Sequence, residues 1–243
     1  MADRVIVEIL VAAPIETVWK AVLDPVEAKR WFGWDYPNLA TDLVEMWKDS
    51  HSDEATRVIW ADNMPDRFTF EDLGTHTVVR IVRSAPAGDS SWSGIYDDMV
   101  EGWLTFMEQL KFALERHPAA DRRTLFLNGR AKSAGTPHPA EALGLASLWV
   151  VPAGEKYEVA AATGDRLTGT IWYRAPSQMG FTVDGFGDGL LIVQVRPRTA
   201  KSAHGGGTII VTTYGMSDAD FAQLRERWSL WWTKTYEVIE IQP

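Results

Sequence analysis

Cysteine is absent from the 243 residues. This excludes disulfides, thiolate zinc sites and cysteine nucleophiles. No apolar run approaches the roughly 20 residues that a membrane-spanning helix needs. The start of the chain, Met1 to Glu8, lacks a basic region followed by a long apolar core. No signal peptide and no membrane insertion are therefore expected, and a cytoplasmic protein is the default. Positive charge is scarce: 24 Lys and Arg face 33 Asp and Glu, a net charge of −9. That balance argues against a nucleic-acid partner, since phosphate binding needs a positive surface.

Reactive groups are also few. The five histidines are His51, His76, His117, His138 and His204, and no two share the close helical spacing of a metal pair. His51 stands near Asp53 and Glu54, where an exposed polar loop explains it better than a metal site. There is no Gly-x-Ser-x-Gly elbow, no Gly-x-Gly-x-x-Gly fingerprint, no Walker loop and no calcium loop. Gly205 to Gly207, after His204, and Gly185 to Gly189 read as turns between strands. Asp97, Asp98 and Glu101 suit the acidic first turn of a helix. No nucleophile stands with a base, and no acid with a base. Catalytic residues, metals and cofactors are accordingly not expected.

What is present is ordinary in bulk and unusual in one respect. Hydrophobic residues make up 46% and charged residues 23%, as in a globular domain. Twelve tryptophans are unusual. Each is large and carries an N–H that needs a partner when buried, so some should line a cavity, an interface or a groove. Charge is unevenly spread. Residues 1–121 hold 11 Lys and Arg against 22 Asp and Glu, whereas residues 122–243 hold 13 against 11. The step suggests two units of different surface character.

Arg4 to Ala12 alternates as a strand. Pro14 suits the first position of a helix whose apolar side is Val18, Trp19 and Val22. Asp24 can cap a second helix starting at Pro25. The cluster Trp31-Phe32-Gly33-Trp34 follows at once. Residues 35–50 fit a helix through Leu39, Leu43, Met46 and Trp47. Strands are expected at Thr56–Trp60, Arg67–Glu71 and Thr75–Arg83, with Asp62 to Asp66 as a turn. From Tyr96, apolar residues recur at helical spacing through Trp103, Phe106, Met107 and Leu110 to Leu114. Ala119 to Asp121 reads as a linker. The second half repeats the plan: strands at Thr124–Leu127, Tyr157–Thr163, Leu167–Arg174, Gly180–Asp184, Leu190–Arg196 and Thr208–Tyr214, and a short helix over Pro139–Leu145. Ser217, with Asp220 in the capping-box place, opens a last helix. Its stripe is Phe221, Leu224, Trp228, Trp231, Thr235 and Val238.

The opening strand, Ala13-Pro-Ile-Glu-Thr-Val-Trp19, Asp24-Pro25 and Arg30-Trp-Phe-Gly-Trp34 resemble the start of the START-like, or SRPBCC, superfamily. Within it they are most similar to the activator-of-heat-shock-protein-90-ATPase-homologue (Aha-type) family. The ending is similar too: Thr75 to Arg83, Gly102-Trp103, then Gln109-Leu110-Lys111. The resemblance covers most of residues 4–117. Residues 124–243 resemble the family in plan, as a divergent tandem copy. The resemblance implies an α+β helix-grip fold: a curved antiparallel sheet around a long C-terminal helix, with an apolar cavity between them. It implies domains at 1–118 and 124–243. The first half departs from the family in its shorter middle region, so its sheet is expected to be short of strands and its cavity small. Members bind lipids, hormones or polyketides, act as cyclases or hydrolases, or stimulate a chaperone, so function does not follow from fold.

A sheet facing an aromatic helix makes a concave apolar site. In the first half it would be lined by Trp31, Phe32, Trp34, Trp60, Phe68, Phe70, Trp103, Phe106 and Leu110. In the second it would be lined by Trp149, Trp172, Tyr173, Phe181, Trp228, Trp231 and Trp232. Trp231 and Trp232 point about 100° apart on a helix, so both cannot face one cavity. Three readings follow. The first is a non-catalytic module that binds a small hydrophobic or aromatic molecule, which requires a cavity of more than a few water volumes. The second is a chaperone-associated or other protein-interaction module working through its acidic half. The third is a cyclase- or hydrolase-type cavity enzyme, for which Tyr96, Asp97, Tyr173 and Tyr214 are the residues to inspect.

Overall fold

The computed structural model describes residues 3–61, 65–84, 93–198 and 203–239, and of 93–98 the backbone alone. The chain divides into two compact units, Met1–Asp121 and Arg122–Pro243. Both are α+β.

In unit 1, strand β1 (Arg4–Val11) is followed by helices α1 (Ile15–Leu23), α2 (Pro25–Ala28) and α3 (Leu39–Lys48). Strands β2 (Ser50–Asp53), β3 (Val58–Ala61), β4 (Asp66–Asp72) and β5 (Thr77–Arg83) form a meander, and helix α4 (Ser93–Arg116) ends the unit. The sheet is antiparallel in the order β1-β5-β4-β3-β2, so the first strand closes on the last. Alternation decides the faces. Val7, Ile9 and Val11 point inward, as do Val79 and Ile81. Outside, Glu8 lies opposite Arg80 in register, and Arg80 bonds both Glu8 and Glu71. The inner face packs on Trp103, Met107, Leu110 and Ala113 of α4, a 3–4 residue spacing that keeps them on one stripe. Polar ties fix the ends of that packing. Ala12 N donates to Glu115 Oε1 at 2.8 Å, and Gln109 Nε2 donates to Gly33 O at 3.0 Å.

Asp24 caps α2 by accepting from Val26 N at 2.9 Å, with Pro25 in the first turn. The aromatic cluster then turns on Gly33, at φ +63°. Strand β2 was not foreseen: Ser-His-Ser-Asp has no apolar alternation, and pairing with β3 alone defines it.

Unit 2 begins with β6 (Arg122–Ala131), α5 (Pro139–Leu143) and a 3₁₀ turn at Ala146–Val150. A meander follows: β7 (Lys156–Ala160), β8 (Arg166–Arg174), β9 (Gln178–Val183), β10 (Gly189–Arg196) and β11 (Gly206–Tyr214). It ends with α6 (Asp218–Thr235) and β12 (Tyr236–Val238). The sheet order is β12-β6-β11-β10-β9-β8-β7. Again the first strand closes on the last of the meander, and a long helix follows. Among the described residues unit 2 has seven strands against five, so unit 1 has the smaller sheet.

Helix α6 is capped as its sequence suggests. Ser217 Oγ accepts from Asp220 N at 3.1 Å and donates to Asp220 Oδ2 at 2.6 Å. The helix ends at Thr235, so Val238 leaves the expected stripe and lies half-exposed on β12. β12 can dock there because β6 carries Gly129. A Cβ at that position would lie 2.8 Å from Glu237 O and 2.9 Å from Tyr236 Cβ. Among the described residues, no helix is long and apolar enough to cross a membrane.

Candidate functional site

The expected aromatic residues of unit 1 divide into three groups. Trp31, Phe70 and Leu110 are core. Trp31 is 1% exposed and its indole donates to Ala21 O at 2.8 Å. Phe70 packs edge-on against Trp19, and Leu110 is fully buried. Phe32, Trp34 and Phe106 form a half-buried aromatic cluster, with Phe32 and Phe106 centroids 4.5 Å apart. Trp60, Phe68 and Trp103 come together in a cleft between α3, the β3–β4 pair and α4. Met46, Trp47 and Ile59 complete its apolar walls.

Asp66 is the carboxylate at this cleft. Its side chain is 1% exposed. Oδ1 accepts from Arg83 Nε at 2.6 Å, and Oδ2 accepts from Arg83 Nη2 at 2.7 Å and Trp103 Nε1 at 2.8 Å. This bidentate fork plus an indole N–H offsets the cost of burying the charge. Asp66 was expected in a turn; it opens β4 directly opposite Arg83 on β5. A cross-strand acid–base pair ending two apolar strands was the available signal.

The tryptophans that border the cleft are not equally held. Trp103 is fixed through its indole. Trp60 makes no indole hydrogen bond among the described residues; it is 37% exposed and stacks on His51 at 5.4 Å. His51 is thus exposed, on an edge strand rather than a loop. Free space in the cleft is about 30 Å³. That holds roughly two waters, far below the ~300 Å³ at which small-molecule sites begin. A molecule larger than a few waters can therefore enter the unit 1 cleft only if its walls move apart.

In unit 2 the expected residues mostly fill the core. Phe181 is fully buried and meets Tyr157 edge-on. Tyr157 donates to Thr182 O at 2.8 Å. Tyr173 donates to Gln178 Oε1 at 2.5 Å, and Trp172 is half-buried in the irregular stretch of β8. Trp228 is fully buried, and its indole donates to Asp165 Oδ2 at 2.9 Å. Asp165 also accepts from Arg227 Nη2 at 2.7 Å and Thr163 Oγ1 at 2.8 Å. Neighbouring indoles on α6 diverge as helical geometry requires: Trp232 is buried and stacked on Tyr236 at 4.1 Å, while Trp231 is half-buried. Trp149 is half-buried beside His138. No indole hydrogen bond of Trp149 or Trp231 is found among the described residues.

Of the residues marked for catalysis, the side chains of Tyr96 and Asp97 lie outside the described residues. Burial pushes the Tyr214 phenol up to about 12, and it raises Tyr157 and Tyr236 as well. Each is therefore a poorer acid than a free phenol. Among the described residues, no cluster of three His, Asp or Glu could hold a metal.

No family model matches the chain, and no curated protein does. Among solved structures, the chain is similar to DynU16 of the dynemicin biosynthetic locus, with 18% identity over 93% of this chain and 94% of that one, and a TM-score of 0.30. It is also similar to the di-domain ARO/CYC BexL from the BE-7585A biosynthetic pathway, with 13% identity over 100% of both chains and a TM-score of 0.37. The di-domain ARO/CYC StfQ from the steffimycin biosynthetic pathway has 14% identity over 96% of both chains and a TM-score of 0.33. At these scores none bears on function, and the fold rests on the strand connectivity above.

Proposed function

We propose that the protein is a tandem START-like binding module, and that unit 1 takes a small apolar or aromatic molecule between α3, β3–β4 and α4. The shared plan of the two units supports the tandem reading: first strand closing on last, helices between, long helix after. One observation carries the ligand reading. The cleft is walled by Trp47, Trp60, Phe68 and Trp103, and its outer lip, Trp60 and Met46, is over a third exposed, with no hydrogen bond to the Trp60 indole among the described residues. Ligand entry displaces that lip and leaves the anchored Trp103 in place. A binding role rather than a catalytic one is supported by Asp66, the carboxylate at the cleft, whose oxygens already accept from Arg83 and Trp103. The acidic half offers less to a partner protein than its composition suggests, because Glu8, Glu16, Glu27 and Glu71 are paired within unit 1.

The test is native mass spectrometry of the freshly purified protein, then denaturing extraction. An added mass that leaves on denaturation is expected. A titration with 2-naphthol, read by tryptophan fluorescence, should saturate. Ala61→Phe, which fills the cleft, should weaken it about tenfold or more. A clean apo mass together with no saturable response would overturn the proposal.

A further inference from the structure

Unit 2 carries a second cleft of opposite character, at the end of its sheet where β6 leaves Ala131 and where Arg196 of β10 pairs with Gly206 of β11. It is open, with a volume of about 580 Å³, within the range of small-molecule sites. Its walls are polar. Arg196 and Arg198 come from the end of β10, His204 from just before β11, and His138 and Glu141 from the start of α5.

The donors here exceed the acceptors. Arg198 Nη2 donates to Ala134 O at 2.9 Å, which holds the guanidinium at the cleft. Its remaining N–H groups have no acceptor among the described residues. His138 Nδ1 accepts from Glu141 N at 3.3 Å, which puts the proton of a neutral ring on Nε2. That N–H has no acceptor among the described residues, and neither ring nitrogen of His204 has a partner there. Arg196 is anchored through Nη2 on Asn128 Oδ1 at 2.8 Å. Among the described residues Glu141 is the one acidic lining residue, and the proposed donors Arg198, His138 and His204 stand against it alone.

We propose that this cleft binds an oxyanion group, carboxylate or phosphate, carried on a small molecule, with Arg198, His138 and His204 as donors. A guanidinium fork matches either group in geometry. The site is independent of the unit 1 cleft: it lies in the other unit and selects charge rather than apolar surface.

The experiment uses the full chain and follows the imidazole protons of the histidines by NMR. The probes are inorganic phosphate and citrate. Saturable shifts of His138 and His204 are expected, with His51, His76 and His117 unmoved. Arg198→Ala should weaken binding about tenfold or more, since a hydrogen bond to a charged group is lost. His204→Gln should weaken it less, and Glu141→Gln should tighten it. All three positions are exposed, so the fold should survive. Tighter phosphate supports the site as a phosphate site, and tighter citrate supports it as a carboxylate site. Linear, unsaturated shifts with both probes would overturn the proposal. So would affinities unchanged in Arg198→Ala and His204→Gln.

Discussion

In unit 1 the indole of Trp103 and the guanidinium of Arg83 share the Asp66 carboxylate inside the sheet; in unit 2 the indole of Trp228 and the guanidinium of Arg227 share Asp165 at a turn. Both ties answer one demand. A tryptophan on the long helix enters the core, and its N–H must find an acceptor. The answers differ in exposure. Asp66 and Arg83 side chains are 1% and 9% exposed, whereas Asp165 and Arg227 are 14% and 44% exposed. A buried tie costs more to form and far more to break, because a stranded charge has no water to turn to. A tie at the surface forgives the loss of a partner.

That comparison can be broken in five ways. Asp66→Ala should cost about 3–5 kcal/mol in urea unfolding, since it removes the buried carboxylate that accepts from both Arg83 and Trp103; a loss below ~1 kcal/mol would mean that the tie is worth no more than a surface ion pair. Asp165→Ala should cost about 1–3 kcal/mol, as Trp228 loses its acceptor while Arg227 rehydrates. Equal losses at the two positions would erase the distinction between the ties.

The third test uses alkali. Burial raises Tyr157, Tyr214 and Tyr236 in unit 2, Tyr214 to about 12. In unit 1, burial and then Asp42 raise Tyr36 to about 12. A phenol whose folded value is raised stays neutral when the unfolded chain ionises. Its stabilisation is complete below the ordinary phenol value of ~10 and is lost as pH climbs from there through the folded value. Unit 2 should therefore melt first between about pH 10 and 12. Tyrosinate absorbance rising together with loss of the Trp228 fluorescence environment, ahead of that of Trp103, would show it. The smallest effect is expected at the cleft lip: Trp60→Phe should change stability by no more than about 0.5 kcal/mol. Trp103→Phe, which leaves Asp66 one donor short, should cost about 1–3 kcal/mol by the same unfolding measurement.

Period and punctuation made much of both units legible. β1, β4, β5 and the β8–β11 meander alternate or run apolar, α4 keeps its stripe, and Asp24 and Ser217 announce their helices. The misses share a cause. β2 is polar and β12 is three residues long; both exist through a neighbour's hydrogen bonds, which leave no mark on composition. The site was legible in residue type and not in position. Aromatic side chains were expected around a cavity, and Trp60, Phe68 and Trp103 do meet at a cleft. Trp31, Phe181 and Trp228 pack the interior instead. Whether an indole is core or lip depends on what its N–H finds. For Trp103 and Trp228 those acceptors lie 37 and 63 residues away. Asp66 and Asp165 were overlooked for the same reason: each looks like a turn residue until the chain brings an arginine and an indole to it.

The way each sheet closes has a kinetic consequence. Arg4 pairs with Arg83, and Arg122 with Tyr214, so the first strand of each unit has no meander partner until every strand of the meander has been synthesised. The meanders need only short loops and can zip locally, whereas joining first strand to last requires closing a long loop. The opening strand thus joins its sheet only after the meander has formed, and while it waits the meander presents a bare edge to its neighbours in solution.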